Sequence, residues 1–184
     1  MSAHASTSAP SRYPVRPVPA DTLEQLRRQD DAGRSTQPFV ATTDGTPVDC
    51  VGSPLRCCFR PIQAGELVAL VSYAPLRRWA ATVGAQPGAY DETGPIFIHA
   101  EPCHAPEPRA DYPFVRPGAL RTLRRYDGRG HIVGGRLVEL SQQPSDDLDH
   151  ALHDAFADPS VALVHVRAVE YGCFHFEVRE PDLR

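Results

Sequence analysis

The distribution of proline sets the strongest limit on what this chain can fold into. Nineteen prolines occur in 184 residues, and proline disrupts the interior of a helix or of a central strand because it lacks a backbone donor. Five of them lie within Glu101–Pro117, and three more lie within Gln37–Arg60. Both stretches are therefore predicted to be mostly loop, and regular structure has to come from the short segments between them.

Most of the remaining apolar segments have the length and the flanking residues of strands. One apolar run ends just before Pro75, which favours a buried strand over a helix. The turn sequence Asp127–Gly130 separates two further runs and predicts a hairpin. The predicted strands are Leu67–Tyr73, Pro95–His99, Ala119–Tyr126, His131–Leu140, Val161–Arg167 and Cys173–Arg179.

Three further segments are predicted to be helices. In the longest of them, apolar residues recur every four positions at Leu148, Leu152 and Phe156. This spacing forms one apolar stripe that can pack on a sheet. The predicted helices are Thr22–Asp31, Leu76–Ala85 and Ser145–Ala157.

The order of these elements indicates an α+β fold. Runs of strands with a few interspersed helices predict a single domain over residues 21–184, with two or three helices packed on a mainly antiparallel sheet. Five of the predicted strands are expected to belong to one central sheet. The exception is Ala119–Tyr126, in which Leu120 and Leu123 would also suit a helix. Residues 1–20 are rich in Ser, Ala and Pro, so they are predicted to be a disordered or loosely packed N-terminal tail.

Composition and charge exclude several classes of function. Acidic residues outnumber basic ones by 23 to 19, for a net charge of -4, which argues against a nucleic-acid binder. The chain has no lysine, which excludes a Schiff-base lysine, a P-loop lysine and a protein-kinase lysine. The longest wholly apolar run, Leu67–Val71, is far shorter than the roughly 20 residues of a membrane span. No segment has the pattern of a signal peptide, so we expect a cytoplasmic protein that binds no membrane.

The five cysteines are expected to be reduced thiols. Their odd number and the absence of a secretion signal argue against a disulfide framework. Cys57 and Cys58 are adjacent, and a disulfide between adjacent cysteines is strained. A thiolate activated by a nearby imidazole is a nucleophile. The candidate catalytic residues are Cys57, Cys173, His99 and His165.

The two C-terminal strands predict which of these residues lie close together. If Arg167 lies opposite Cys173, then His165 lies opposite His175, and both histidines share a face with Glu177. A histidine beside a carboxylate would form a stabilised imidazolium and could change charge near neutral pH. The opposite, core-facing side would hold Phe174, Phe176 and Val178.

Three roles are open to the Cys and His residues. They could form a functional thiol, they could bind a soft metal, or they could be plain buried residues. His99 and Cys103 leave the end of a predicted strand four residues apart. However, the chain has no Cys-x-x-Cys spacing of the kind that is typical of zinc sites, so no metal site is predicted.

Several stretches of the chain, taken in order, resemble the family catalogued as domain of unknown function 1203. They run from Pro54 to about Val178. The stretches are Pro54–Cys58, Gly65-Glu66, Val68–Pro75, Thr93–His99 with Cys103, Leu123–Asp127, Gly130-His131, Phe156–Pro159, His165–Arg167 and Gly172–Phe174. Because no activity is assigned to the family, the resemblance implies membership and no function. The matching motifs contain Cys57, His99, Tyr126, His165, Arg167 and Cys173.

These observations favour binding over catalysis. No complete catalytic motif is present, whereas arginine and aromatic residues lie in the matching segments, and guanidinium groups suit an anion. The first prediction is therefore a domain that binds a small molecule, an anion among the candidates, without catalysis. A thiol-dependent enzyme or redox protein and a protein-interaction module are the alternatives, and neither a cofactor nor an oligomeric state is predicted. The candidate ligand-binding residues are Arg124, Tyr126, His165 and Arg167.

Overall fold

Two antiparallel sheets form the framework of the protein. The computed structural model describes residues 13–45, 47–104, 106 and 111–179, and these contain eight strands and three helices. In chain order the elements are β1 (Val15–Arg16), α1 (Ala20–Arg28), β2 (Phe39–Val40), β3 (Leu67–Tyr73), α2 (Pro75–Val83), β4 (Gly94–His99), β5 (Leu120–Asp127), β6 (Ile132–Glu139), α3 (Pro144–Phe156), β7 (Val161–Ala168) and β8 (Phe174–Arg179). The prediction of a single α+β domain with a mainly antiparallel sheet and three helices is confirmed.

The larger sheet has five strands in the order β1-β8-β7-β5-β6. Both predicted hairpins, β5–β6 and β7–β8, are present. Helix α3 covers one face of this sheet with its predicted stripe, and Leu148 and Leu152 are buried there together with Val164 and Phe176. The stripe explains both the position and the orientation of α3.

The smaller sheet has three strands in the order β2-β3-β4. The expectation that Leu67–Tyr73 and Pro95–His99 join one central sheet is therefore wrong. Both edges of β5 are already paired, with β6 on one side and β7 on the other. Strands β3 and β4 pair with each other instead, from Val68 opposite His99 to Tyr73 opposite Gly94.

A bulge in β8 changes the predicted register at the C-terminus. Val166 pairs with Phe176 and Arg167 pairs with Phe174, which leaves His175 as an extra residue between them. Because a bulge interrupts the alternation of side chains, Phe174 lies on the face of Arg167, whereas Phe176 lies on the other. The expected pairs of Arg167 with Cys173 and of His165 with His175 are wrong.

Part of the predicted N-terminal tail packs against the domain. Residues 1–12 lie outside the described residues. Tyr13 and Val18 are buried, and Val15 pairs with Val178 of β8. The two residues of β1, Val15 and Arg16, therefore form an edge strand of the larger sheet. Among the residues that the structure describes, no helix is long and apolar enough to cross a membrane.

Candidate functional site

Three cysteines and one histidine meet at the end of β4, and we call them the thiol cluster. Their sulfur and nitrogen atoms all lie within 4.8 Å of one another. One member is buried and the other three are half-buried. The members are Cys57, Cys58, His99 and Cys103.

Local structure explains why these residues come together from three separate places in the sequence. The vicinal cysteines lie on a loop over residues 54–61, which a bridge between its two terminal prolines closes. Leu55 of this loop forms a second bridge to Phe97 in β4, and this fixes the loop beside the strand. Strand β4 ends at His99, and Cys103 follows four residues later.

The distances inside the thiol cluster are short. The sulfurs of Cys57 and Cys58 are 4.0 Å apart. The Nδ1 atom of His99 lies 3.5 Å from the Cys57 sulfur and 3.9 Å from the Cys58 sulfur. The backbone N–H of His99 also donates to the Cys57 sulfur at 3.3 Å. One imidazole nitrogen therefore faces both sulfurs of the vicinal pair.

The surroundings make the two vicinal thiols unequal. A hydrogen bond from the Cys57 thiol lowers the pKa of Cys58 to about 6, with help from the backbone N–H of Arg60 and the charges of His99 and Arg60, while burial opposes the shift. The same hydrogen bond, together with burial, raises the pKa of Cys57. Burial also raises the pKa of Cys103. Cys58 is thus the more acidic of the two vicinal thiols.

The far side of the His99 ring contacts an ion pair. Its Nε2 atom lies 3.0 Å from a guanidinium nitrogen of Arg60 and 3.6 Å from the Oε1 atom of Glu66. Arg60 and Glu66 pair with each other, and the hydrogen bond from Arg60 holds the pKa of Glu66 below its usual value. Because a guanidinium can only donate, Nε2 accepts from Arg60 in this arrangement, and a neutral ring then carries its proton on Nδ1. A proton on Nε2 would instead be donated to Glu66 and would leave the Nδ1 lone pair facing the sulfurs.

The structure brings two of the four predicted catalytic residues together and separates the other two. Cys57 and His99 share the thiol cluster. Cys173 lies at the turn before β8, where its sulfur donates to the carbonyl of Tyr171 at 3.8 Å. His165 is fully buried in the larger sheet.

Sequence reasoning did not assign a role to Cys58 or to Cys103. The signal that could have found them was present, because His99-x-x-x-Cys103 follows a strand and the vicinal pair lies in another matching motif. Only the fold shows that the two motifs meet. The fifth cysteine, Cys50, is buried in the core of the smaller sheet.

The four predicted ligand-binding residues lie on one face of the larger sheet around a glutamate. Arg124 and Arg167 both donate to the Oε1 atom of Glu92, a residue of the loop before β4. Burial opposes the ionisation of Glu92, but the two guanidinium groups lower its pKa. Tyr126 and His165 are completely buried, with their rings 4.8 Å apart. A carboxylate of the chain itself therefore occupies this arginine pair.

His165 differs from its predicted behaviour. It shares a face with Glu177, as expected, and its Nε2 atom lies 3.3 Å from that carboxylate. However, burial lowers the pKa of His165 despite the opposing effect of Glu177. Burial also disfavours the charge of Glu177, yet its hydrogen bonds with His165 and Arg179 bring the pKa of the carboxyl below its usual value. His165 is therefore a neutral histidine beside an ionised Glu177, and the expected imidazolium is not formed.

A cavity of about 380 Å³ lies beside this face. Its wall includes Tyr73, Trp79 and Glu177 together with several arginines at its rim. None of the four predicted ligand-binding residues lines it. The cavity therefore offers no direct support for a ligand at those four positions.

Comparison with known proteins identifies the family. The family model described as protein of unknown function (DUF1203) matches residues 52–180. The chain belongs to this family. The predicted resemblance is confirmed, and the matched range contains the whole thiol cluster. Neither the curated proteins nor the solved structures contain a match to the chain.

Proposed function

We propose that this DUF1203 domain binds a soft divalent metal ion, with zinc as the best fit, through Cys57, Cys58, His99 and Cys103. Three sulfurs and one imidazole nitrogen form one of the standard ligand sets of tetrahedral zinc. The sequence predicts no metal site, because the chain has no local Cys-x-x-Cys pair. The ligand set proposed here combines a vicinal pair with a second motif about 40 residues away.

The distances within the thiol cluster are the main support for the proposal. With Zn–S bonds of about 2.3 Å and a Zn–N bond of about 2.0–2.1 Å, a tetrahedral site separates two sulfurs by about 3.8 Å and a sulfur from a nitrogen by about 3.6 Å. The vicinal sulfurs are 4.0 Å apart, and Nδ1 of His99 lies 3.5 Å and 3.9 Å from them. These three distances are close to those of a zinc site, and the Cys103 sulfur lies within 4.8 Å of the other three ligand atoms.

The groups around the cluster also suit a metal. A metal-ligating histidine usually donates its other N–H to a carboxylate, and Glu66 lies beside Nε2 of His99. Metal binding at Nδ1 places the proton on Nε2. Arg60 then pairs with Glu66 alone, because a protonated Nε2 no longer accepts from its guanidinium.

The chemistry of such a site is structural. Four protein ligands fill the tetrahedron and leave no position for a water or a substrate, which is the arrangement of structural zinc sites. The metal would tie the loop over residues 54–61 to the end of β4 and to the segment at Cys103. This role agrees with the predicted absence of catalysis, and the expected cytoplasmic location would keep the thiols reduced.

Metal analysis of single-cysteine variants tests the proposal. The wild-type protein and its Cys58→Ser and Cys103→Ser variants are purified under reducing conditions, loaded with Zn²⁺, freed of excess metal and assayed by mass spectrometry. Cys173→Ser is the matched control, because its sulfur lies outside the cluster. We expect about one zinc per chain in wild type and control and less than a tenth of that in the cluster variants. A metal-free wild-type protein after loading would disprove the proposal.

Thiol chemistry at the same cluster is the second candidate function. The low pKa of Cys58 favours it, since a thiolate near neutral pH is a nucleophile. Iodoacetamide labelling distinguishes the two candidates, because a zinc-bound thiolate is protected. Rapid labelling of Cys58 that saturating Zn²⁺ does not slow would favour the thiol candidate. The predicted binding of a small anion at Arg124 and Arg167 stays a prediction.

A further inference from the structure

A second arginine pair has no carboxylate partner among the residues that the structure describes. Arg56 and Arg121 are 3% and 4% exposed, and neither forms an ion pair with any carboxylate of the described residues. Within the described part of the chain each guanidinium donates to backbone carbonyls: Arg56 to those of Pro54 and Phe174, and Arg121 to those of Phe114 and Leu120. Buried charges in proteins are ordinarily paired, because an isolated buried ion is costly.

The two guanidinium groups lie near a histidine that is also buried. His175, the extra residue of the β8 bulge, is 5% exposed. Burial lowers its pKa to about 2, and the charges of Arg56 and Arg121 contribute to the shift. Phe114 joins the three groups, because its ring lies 5.9 Å from the Arg56 guanidinium carbon and 5.3 Å from the His175 ring. Its carbonyl accepts from Arg121.

Two polar atoms of this group have no hydrogen-bond partner. The Nε atom of Arg121 and the Nδ1 atom of His175 are both buried and unpaired in the described structure. Buried polar atoms are nearly always hydrogen-bonded, so an exception needs an explanation. Both nitrogens can donate, since arginine always carries a proton on Nε and a neutral histidine can carry its proton on Nδ1.

We propose that Arg56, Arg121 and His175 form a binding site for a small oxyanion, either a carboxylate or a phosphate. The anion supplies the missing negative charge and accepts hydrogen bonds from the two unpaired donors. Guanidinium groups match the geometry of both anions. The site is distinct from the thiol cluster, although Arg56 immediately precedes Cys57, so its test is independent of the proposed metal.

A carboxylate of the chain is the alternative source of negative charge. Glu170 is near enough to raise the pKa of Arg121, against the larger opposite effect of burial. However, Glu170 is exposed and forms no ion pair with Arg121 in the described structure. The experiment therefore includes a Glu170 variant.

Thermal unfolding in different salts tests the site. Wild type is compared with Arg121→Gln and His175→Gln in chloride, acetate and phosphate at equal ionic strength, and circular dichroism first confirms that each variant folds. Phosphate stabilises most proteins by general exclusion, so Arg136→Gln, an exposed arginine variant, measures that background. An anion at about 100 times its Kd raises Tm by roughly 5 °C in a protein of this size.

The proposal expects this rise in wild type and Arg136→Gln, and its loss in the Arg121 and His175 variants. A response to acetate alone assigns a carboxylate ligand, and a response to phosphate alone assigns a phosphate. Equal shifts in all four proteins would overturn the proposal. It would also be overturned if Glu170→Gln responds to anions and wild type does not, because Glu170 would then be the counter-ion.

Discussion

The two arginine pairs of this protein differ in what neutralises them. Arg124 and Arg167 meet a single carboxylate, Glu92, on one face of the larger sheet. Among the described residues, the hydrogen bonds of Arg56 and Arg121 go to backbone carbonyls and to no carboxylate. The second pair is the more deeply buried of the two. The arginines that are less exposed to solvent are therefore the ones without a carboxylate partner among the described residues. Burial and arginine content alone therefore do not distinguish the two pairs. What distinguishes them is whether a carboxylate of the described residues balances their charge.

The largest effect is expected from removing the counter-charge of the first pair. Glu92→Gln leaves two arginines without a carboxylate, and breaking such a pair costs about 3 kcal/mol, at the low end of the usual range because Glu92 is partly exposed. Urea denaturation measures the loss, and Glu139→Gln is the exposed control, for which a change within about 0.5 kcal/mol is expected. If the two variants lose the same free energy of unfolding, Glu92 does not balance the charges of Arg124 and Arg167. The two arginine pairs would then not differ in the way described.

A smaller effect is expected from acid, through His175. Arg56 from the loop over residues 54–61 and Arg121 from β5 face this histidine, and its pKa in the folded protein is about 2. The unfolded chain takes up a proton below pH ~6.5 and the folded protein does not, so stability is full above that pH and falls as the pH is lowered. Between pH 6.5 and 5 the loss from His175 is about 2 kcal/mol.

His175→Gln provides the measurement. Urea denaturation in chloride buffer at pH 7 and pH 5 should show that wild type loses about 2 kcal/mol more than the variant over this interval. His165, whose pKa is also lowered, contributes in the same direction in both proteins and cancels in the difference. Equal pH dependence in the two proteins would mean that His175 is not held neutral beside the two arginines.

Local elements of the fold could be predicted from the sequence, whereas the bulge beside the second arginine pair could not. The length and flanks of an apolar run predicted the strand Leu67–Tyr73, and a four-residue period predicted the helix stripe at Leu148 and Leu152. Both predictions succeeded because local patterns of burial determine such elements. The bulge at His175 was not predictable from pattern, since one extra residue in a strand leaves no periodic signal. For this reason the predicted face of Phe174 was wrong.

The candidate sites depend on contacts between distant segments. Cys57 and His99 were predicted as a thiol and an imidazole, but the loop bridge to β4 that joins them is visible only in the fold. Likewise, Glu92 carries no sequence signal as the partner of Arg124 and Arg167. Residue types indicated the chemistry, whereas pairing between segments far apart in the chain decided which groups meet.

The smallest effect is expected from the replacement of Arg121. Arg121→Gln removes hydrogen bonds to two backbone carbonyls, each worth about 1 kcal/mol. It also removes a buried charge that no carboxylate of the described residues balances, and this relief offsets much of the loss. In chloride buffer we therefore expect the free energy of unfolding to fall by less than about 1 kcal/mol.

Arg167→Gln should cost about 2 kcal/mol, because it removes a charge that Glu92 does balance. Urea denaturation of the two variants side by side makes the comparison. If Arg121→Gln proves the more damaging, Arg121 already has a counter-charge within the protein, and the proposed anion would have no unbalanced charge to neutralise.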